Sequence, residues 1–167
     1  WGRRVSGTGV LVGSEIVIGN EATSILYGLP AVAYNPATDE YLVVWHEIHS
    51  QAVGYDVYGR RVGATGTLLA PPFLVSRDSG AGNEGTPRVV YIPGANQFLV
   101  VWNAYDHVST KLYRVWGQRV SAAGALSGSG FLMSASTGWC SPPRLAVNAT
   151  ANEVLAIWED FRNSDQY

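Results

Sequence analysis

Tyr41-Leu42-Val43-Val44-Trp45, Phe98-Leu99-Val100-Val101-Trp102 and Val154-Leu155-Ala156-Ile157-Trp158 are three copies of one short apolar run closed by tryptophan. The tryptophans stand 57 and 56 residues apart. Self-similarity at a fixed period of this size marks a repeat architecture. Each run is apolar at every position rather than at alternate ones, so it reads as a strand buried on both faces.

The copies agree on either side of this strand. Trp1-Gly2-Arg3-Arg4-Val5, Tyr58-Gly59-Arg60-Arg61-Val62 and Trp116-Gly117-Gln118-Arg119-Val120 recur, and four residues after each valine stands Gly9, Gly66 or Gly124. Short apolar segments follow at 16–18, 73–75 and 131–133. Pro30, Pro87 and Pro143 then open a further segment, and polar turns at 35–40, 93–97 and 148–153 lead back to the Trp-ended run. Each copy reads as four short strands separated by Gly, Pro, Asn and Ser clusters. No stretch keeps a helical period.

The expected fold is therefore all-β and β-propeller-like, with three four-stranded antiparallel repeats of about 57 residues. A β-trefoil or β-prism is the alternative. Trefoil strands line a barrel with one face and should alternate, whereas stacked propeller blades bury their inner strands twice. The chain forms one repeat domain over 1–167: N-terminal strands at 1–18, repeat 1 at 30–76, repeat 2 at 87–134, and repeat 3 at 143–167 plus 1–18. The two ends thus complete one repeat between them. Trp45, Trp102 and Trp158, with Gly59 and Gly117, are the expected packing core of the repeats.

The Trp-ended strand, the loop at 159–167, the Tyr-Gly-Arg-Arg-Val strand and the following glycine resemble a repeat found in tandem in large bacterial secreted and surface proteins. The resemblance covers essentially the whole chain. It implies propeller blades, an extracellular or cell-surface location, and a binding or scaffolding role without catalytic residues. The loop after the tryptophan varies among the copies, as His46-Glu47, Asn103-Ala104 and Glu159-Asp160. Three blades are fewer than the four to eight of a typical ring. A homo-oligomer is therefore expected, either a six-bladed dimer or a head-to-tail assembly, with a fragment of a longer propeller as the other option.

Composition narrows the partners. Charged residues make up 14% and the net charge is −2, which argues against a nucleic-acid surface. No segment is long and apolar enough for a membrane helix, so no membrane insertion is expected. Cys140 is the single cysteine, so no disulfide forms within the chain. It reads as a small buried apolar residue.

Few residue groups suggest chemistry. His46 and His49 are too few for a zinc site, which wants three or four ligands. Asp160, Asn163 and Asp165 offer oxygen ligands to calcium, but the loop lacks an EF-hand pattern, so no cofactor is expected. Glu159 and Asp160 are adjacent and do not recur in the other copies, which argues against a carboxylate pair. The recurring arginines read either as ion-pair partners of acids such as Asp56 and Asp160 or as a row of ligand-binding groups. The candidate ligand-binding residues are Arg60, Arg61, Arg119, Asp160 and Arg162. The expectation is a non-catalytic extracellular module that binds carbohydrate, a glycan partner, or another surface ligand. Its alternative is a structural subunit of a filament or surface assembly formed by strand pairing between chains.

Overall fold

The computed structural model describes residues 1–19, 26–48, 54–76, 83–105, 112–135 and 138–162. Two antiparallel meanders form its centre. The first holds β3 (Leu26–Asn35), β4 (Glu40–Ile48), β5 (Tyr55–Gly63) and the short β6 (Phe73–Leu74). The second holds β7 (Asn83–Ile92), β8 (Gln97–Tyr105), β9 (Tyr113–Ser121) and β10 (Leu126–Leu132). One parallel contact, Tyr55 with Asn83, joins them. Before them stands the hairpin of β1 (Gly2–Val5) and β2 (Leu11–Ile16), and after them that of β11 (Arg144–Asn148) and β12 (Glu153–Ile157). The first strands of successive blades lie side by side, β3 against β7 and β7 against β11.

The Trp-ended strands explain the stacking. Side chains alternate across a strand, so one β4 face carries Leu42 and Val44 and the other carries Val43 and Trp45. Leu42 and Val44 pack with Val89, Phe98, Val100 and Trp102 of the next blade. Val43 and Trp45 pack with Ile16 and Ile18 beside the preceding hairpin. The pattern repeats one blade on, where Leu99 and Val101 meet Leu145, Val154 and Trp158. Trp45 and Trp102 are buried and Trp158 is half-buried. A strand with a core on each side is the arrangement of stacked blades, and the chain has a propeller-like all-β fold. The trefoil and prism alternatives fall away.

Local chemistry fixes the turns. Gly9, Gly66 and Gly124 have φ of 85°, 89° and 86°, a region side chains rarely adopt, and each closes the turn after the Arg-Val strand. The outer strands depart from expectation. β2 and β10 begin directly after this turn, about five residues before the apolar segments that mark them in the sequence. β6 is only two residues long. Pro71 and Pro72 precede it, and proline removes the N–H that a ladder needs. β3 and β7 begin four residues before Pro30 and Pro87, because a bulge at 28–31 and 85–88 lets proline sit inside the strand.

Gly59 and Gly117 sit under aromatic rings. A Cβ on Gly117 would lie 2.8 Å from Phe131 Cζ, and one on Gly59 would lie 3.0 Å from Phe73 Cζ. Gly117→Ala is expected to cost about 1–3 kcal/mol by overpacking, read from chemical denaturation. An unchanged midpoint would show that the Phe131 ring moves aside freely.

Candidate functional site

Two pairs of carboxyl groups that share Asp56 stand where β4 ends and β5 and β7 begin. Glu47 on β4 stands opposite Asp56 on β5. Asp56 is hydrogen-bonded to Glu84 near the start of β7. Glu47 and Glu84 are 4% and 2% exposed. Trp45 Nε1 donates to Glu47 Oε2 at 2.6 Å. Ser76 Oγ donates to Glu84 Oε2 at 3.0 Å and accepts the Val57 N–H at 3.0 Å. The Tyr55 N–H donates to Asn83 Oδ1 at 3.3 Å, pinning the two strands that carry Asp56 and Glu84.

Burial disfavours the ionised form of Glu84, and the hydrogen bond and negative charge of Asp56 act in the same direction. Together they push its pKa up to about 9, against the opposing bond from Ser76. At neutral pH Glu84 therefore keeps its proton and donates it to the Asp56 carboxylate. A carboxyl kept neutral beside a second acid is an arrangement from which acid–base chemistry is built.

The opposite face of β4 carries His46. Its Nδ1 accepts the Thr86 N–H at 3.3 Å, so its neutral ring is protonated on Nε2. Burial lowers its pKa. The ring packs edge-on against Tyr55 with centroids 5.1 Å apart and passes over Gly28, where a Cβ would collide with Nε2. One blade on, Asn103 occupies the same register and accepts from Thr86 Oγ1. The same end of the sheets holds an aromatic row. Tyr105 and Tyr113 pack at 5.0 Å, Tyr113 and Trp139 pack at 5.3 Å, and Trp139 is exposed.

The candidate ligand residues lie elsewhere, and of them only Asp160 and Arg162 are brought together. Arg60 donates to the carbonyls of Ala70 and Ile18. Gln118, its counterpart, donates to the carbonyl of Gly128. Arg61 pairs with Glu40 at 2.7 Å and donates to the Ala123 carbonyl of the next blade. Its acidic partner is thus Glu40, while Asp56 belongs to the carboxyl cluster. Arg4 makes the matching bond to the Thr65 carbonyl. Arg119 is exposed beside Gly128. Arg162 pairs with Asp160, whose backbone bridges to Cys140. Among the described residues no group of three His, Cys, Asp or Glu side chains is arranged to hold a metal ion. His49, Asn163 and Asp165 lie outside the described residues.

No family model matches the sequence, and neither does any curated protein. Solved structures do match the fold. An endo-arabinase from Bacteroides thetaiotaomicron superposes with a TM-score of 0.58 at 8% identity, over 95% of this chain and 59% of its own. The chain thus spans about three fifths of that protein's length. A GH43 endo-arabinanase from Bacillus licheniformis superposes with a TM-score of 0.45 at 11% identity, over 78% of this chain and 52% of its own. Endo-arabinanases of this kind are five-bladed β-propellers.

This corrects the expectation of a non-catalytic binding module and, with it, the alternative of a filament subunit. The architecture shared over nearly the whole chain is that of an enzyme, so the fold gives no ground for reading the chain as a non-enzyme. Acids with a role need not recur in every copy. A site in a ring of repeats is assembled once, from different positions in different blades. Glu47, Asp56 and Glu84 come from three strands of two blades. No local spacing in the sequence marks them.

Proposed function

We propose that this chain acts on a polysaccharide, as the reactive part of a glycoside-cleaving β-propeller outside the cell or at its surface. The observation that carries the reading is the hydrogen bond between Asp56 and the buried Glu84, whose pKa is pushed up to about 9. A directly hydrogen-bonded pair is too close to flank one glycosidic bond, whose two carboxyls stand roughly 5–9.5 Å apart. The pair therefore supplies the proton to the leaving oxygen as a unit. Glu47 is the second carboxylate, oriented by the Trp45 indole and facing the positive charge that develops on the sugar. Trp139, with Tyr113 and Tyr105 behind it, offers a stacking surface for sugar rings at the same end of the sheets. Arabinan is the first substrate to test, since the enzyme sharing the fold is an endo-arabinase.

The test is release of reducing ends from arabinan and a panel of other plant and bacterial polysaccharides. The chain is expected to cleave at least one of them, and Asp56→Asn or Glu84→Gln is expected to reduce the rate about 10²–10⁴-fold. Circular dichroism checks that the fold persists. Absence of cleavage across the panel, or cleavage unchanged in both variants, sinks the reading and leaves the pair as a clasp between blades.

A further inference from the structure

We propose that Arg114 binds the carboxylate of an acidic sugar, so that the polysaccharide taken by the carboxyl site carries uronic acid residues. The inference rests on the glycoside-cleaving reading of Glu84 and narrows its substrate class. Its ground is a guanidinium without an acceptor. Among the described residues Arg4, Arg60, Arg61, Arg88 and Arg114 are half-buried. The first four each donate to a backbone carbonyl, and Arg61 also pairs with Glu40. Arg114 makes no hydrogen bond or ion pair among the described residues, although its Nε is shut off from solvent. A guanidinium is always charged and offers only donors. Burying such a donor without an acceptor costs free energy. An acceptor that arrives from outside the chain removes that cost.

The place of Arg114 says what that acceptor belongs to. Glu84 on β7 stands opposite Ala104 on β8, and Ala104 stands opposite Arg114 on β9. Directly opposed residues share a face of the sheet. Glu84 and Arg114 therefore leave the same face in one row, with only a methyl group between them. Two strand spacings separate their backbones, roughly 9–10 Å. A polymer whose scissile bond lies at Glu84 brings a neighbouring sugar to Arg114.

The repeat sharpens the contrast. Glu47 faces Asp56 across the β4–β5 ladder, and one blade on Ala104 faces Arg114 at the same register. An acidic pair in one blade is thus replaced in the next by a lone cation. Sugar hydroxyls leave its charge uncompensated. A carboxylate neutralises it and accepts two parallel N–H bonds from the guanidinium fork. Tyr105 and Tyr113, the chain neighbours of Ala104 and Arg114, turn to the other face of this rim and lead to Trp139. A sugar chain crossing the rim meets rings on one side and the guanidinium on the other.

Oligogalacturonate and its methyl ester differ in this charge alone. Titration calorimetry at low salt with the Glu84→Gln chain is expected to show the acid binding at least about tenfold tighter than the ester. The difference is expected to shrink as salt is added. Arg114→Gln in that chain is expected to abolish the difference and leave ester binding unchanged, whereas Arg114→Lys, which keeps the charge without the fork, retains part of it. Without ligand, Arg114→Gln is expected to leave the Tm level or raise it, because no bond is lost. Equal affinity for acid and ester, a preference that survives Arg114→Gln, or a Tm lowered by Arg114→Gln overturns the proposal. An Arg114-dependent preference in a chain that cleaves no polymer upholds the carboxylate site and removes the glycoside-cleaving reading. Cleavage of a neutral polymer without such a preference does the reverse.

Discussion

Trp102→Ala is expected to lower the unfolding free energy by about 3–5 kcal/mol, the usual cost of removing a buried indole. Trp102 is 1% exposed, and it belongs to the cluster in which Leu42 and Val44 of one blade meet Val89, Phe98 and Val100 of the next. Its loss opens a cavity in the layer that holds the two complete meanders together. The indole Nε1 has no hydrogen-bond partner among the described residues. Trp102→Phe removes that orphaned donor and keeps most of the ring, so it is expected to cost under about 1.5 kcal/mol. Trp158→Ala is expected to cost less than Trp102→Ala, because Trp158 is half-buried. Equal midpoints for Trp102→Ala and Trp158→Ala in chemical denaturation would show that the blade interface does not carry the stability.

A second large effect is expected from pH. The Glu84 pKa rises from an ordinary 4.5 to about 9 on folding. The folded chain therefore binds this proton more tightly than the unfolded chain does. The stabilisation is fully present below pH 4.5 and is lost progressively as pH rises towards 9. Each pH unit in that window removes up to about 1.4 kcal/mol. From pH 7 to 9 the wild-type Tm is expected to fall by roughly 5–10 °C. Burial of His46 acts in the opposite sense, because its folded pKa is lowered: stability falls as pH drops below the ordinary value of 6.5. Its contribution is constant above pH 7, so the alkaline slope isolates Glu84. Tyr34 and Tyr58 are shifted upward from 10.0 and stay neutral across the window. Glu84→Gln keeps the shape of the side chain and removes the titration, so its Tm is expected to stay level from pH 7 to 9. A Glu84→Gln variant with the wild-type slope would falsify the assignment of the shared proton.

The repeat, the strand count and the packing role of the tryptophans were legible because each rests on local pattern. A run apolar at every position, such as Tyr41-Leu42-Val43-Val44-Trp45, can only satisfy both of its faces between two layers, and β4 and β8 do so. Turn glycines were legible for the same local reason, since Gly66 and Gly124 need positive φ whatever surrounds them. The recurrence of the arginines was legible, but their partners were not. Arg61 finds Glu40 across the β4–β5 ladder and a carbonyl 62 residues along the chain in the next blade, and sequence spacing shows neither.

The carboxyl cluster was beyond the sequence altogether. Glu47, Asp56 and Glu84 sit at unrelated positions of the repeat, and Glu84 is an ordinary acid until its neighbours are known. A carboxyl's pKa depends on the water removed and the charge placed within a few ångströms. Both follow from how β4, β5 and β7 converge rather than from the residues beside Glu84 in the chain. By itself the sequence determined a ladder of repeating strands with two apolar faces, because side-chain alternation and turn geometry are properties of a few consecutive residues. Only the tertiary structure decided which acids come together and which partners the arginines find, because burial and hydrogen bonding are set by segments distant in sequence and adjacent in space.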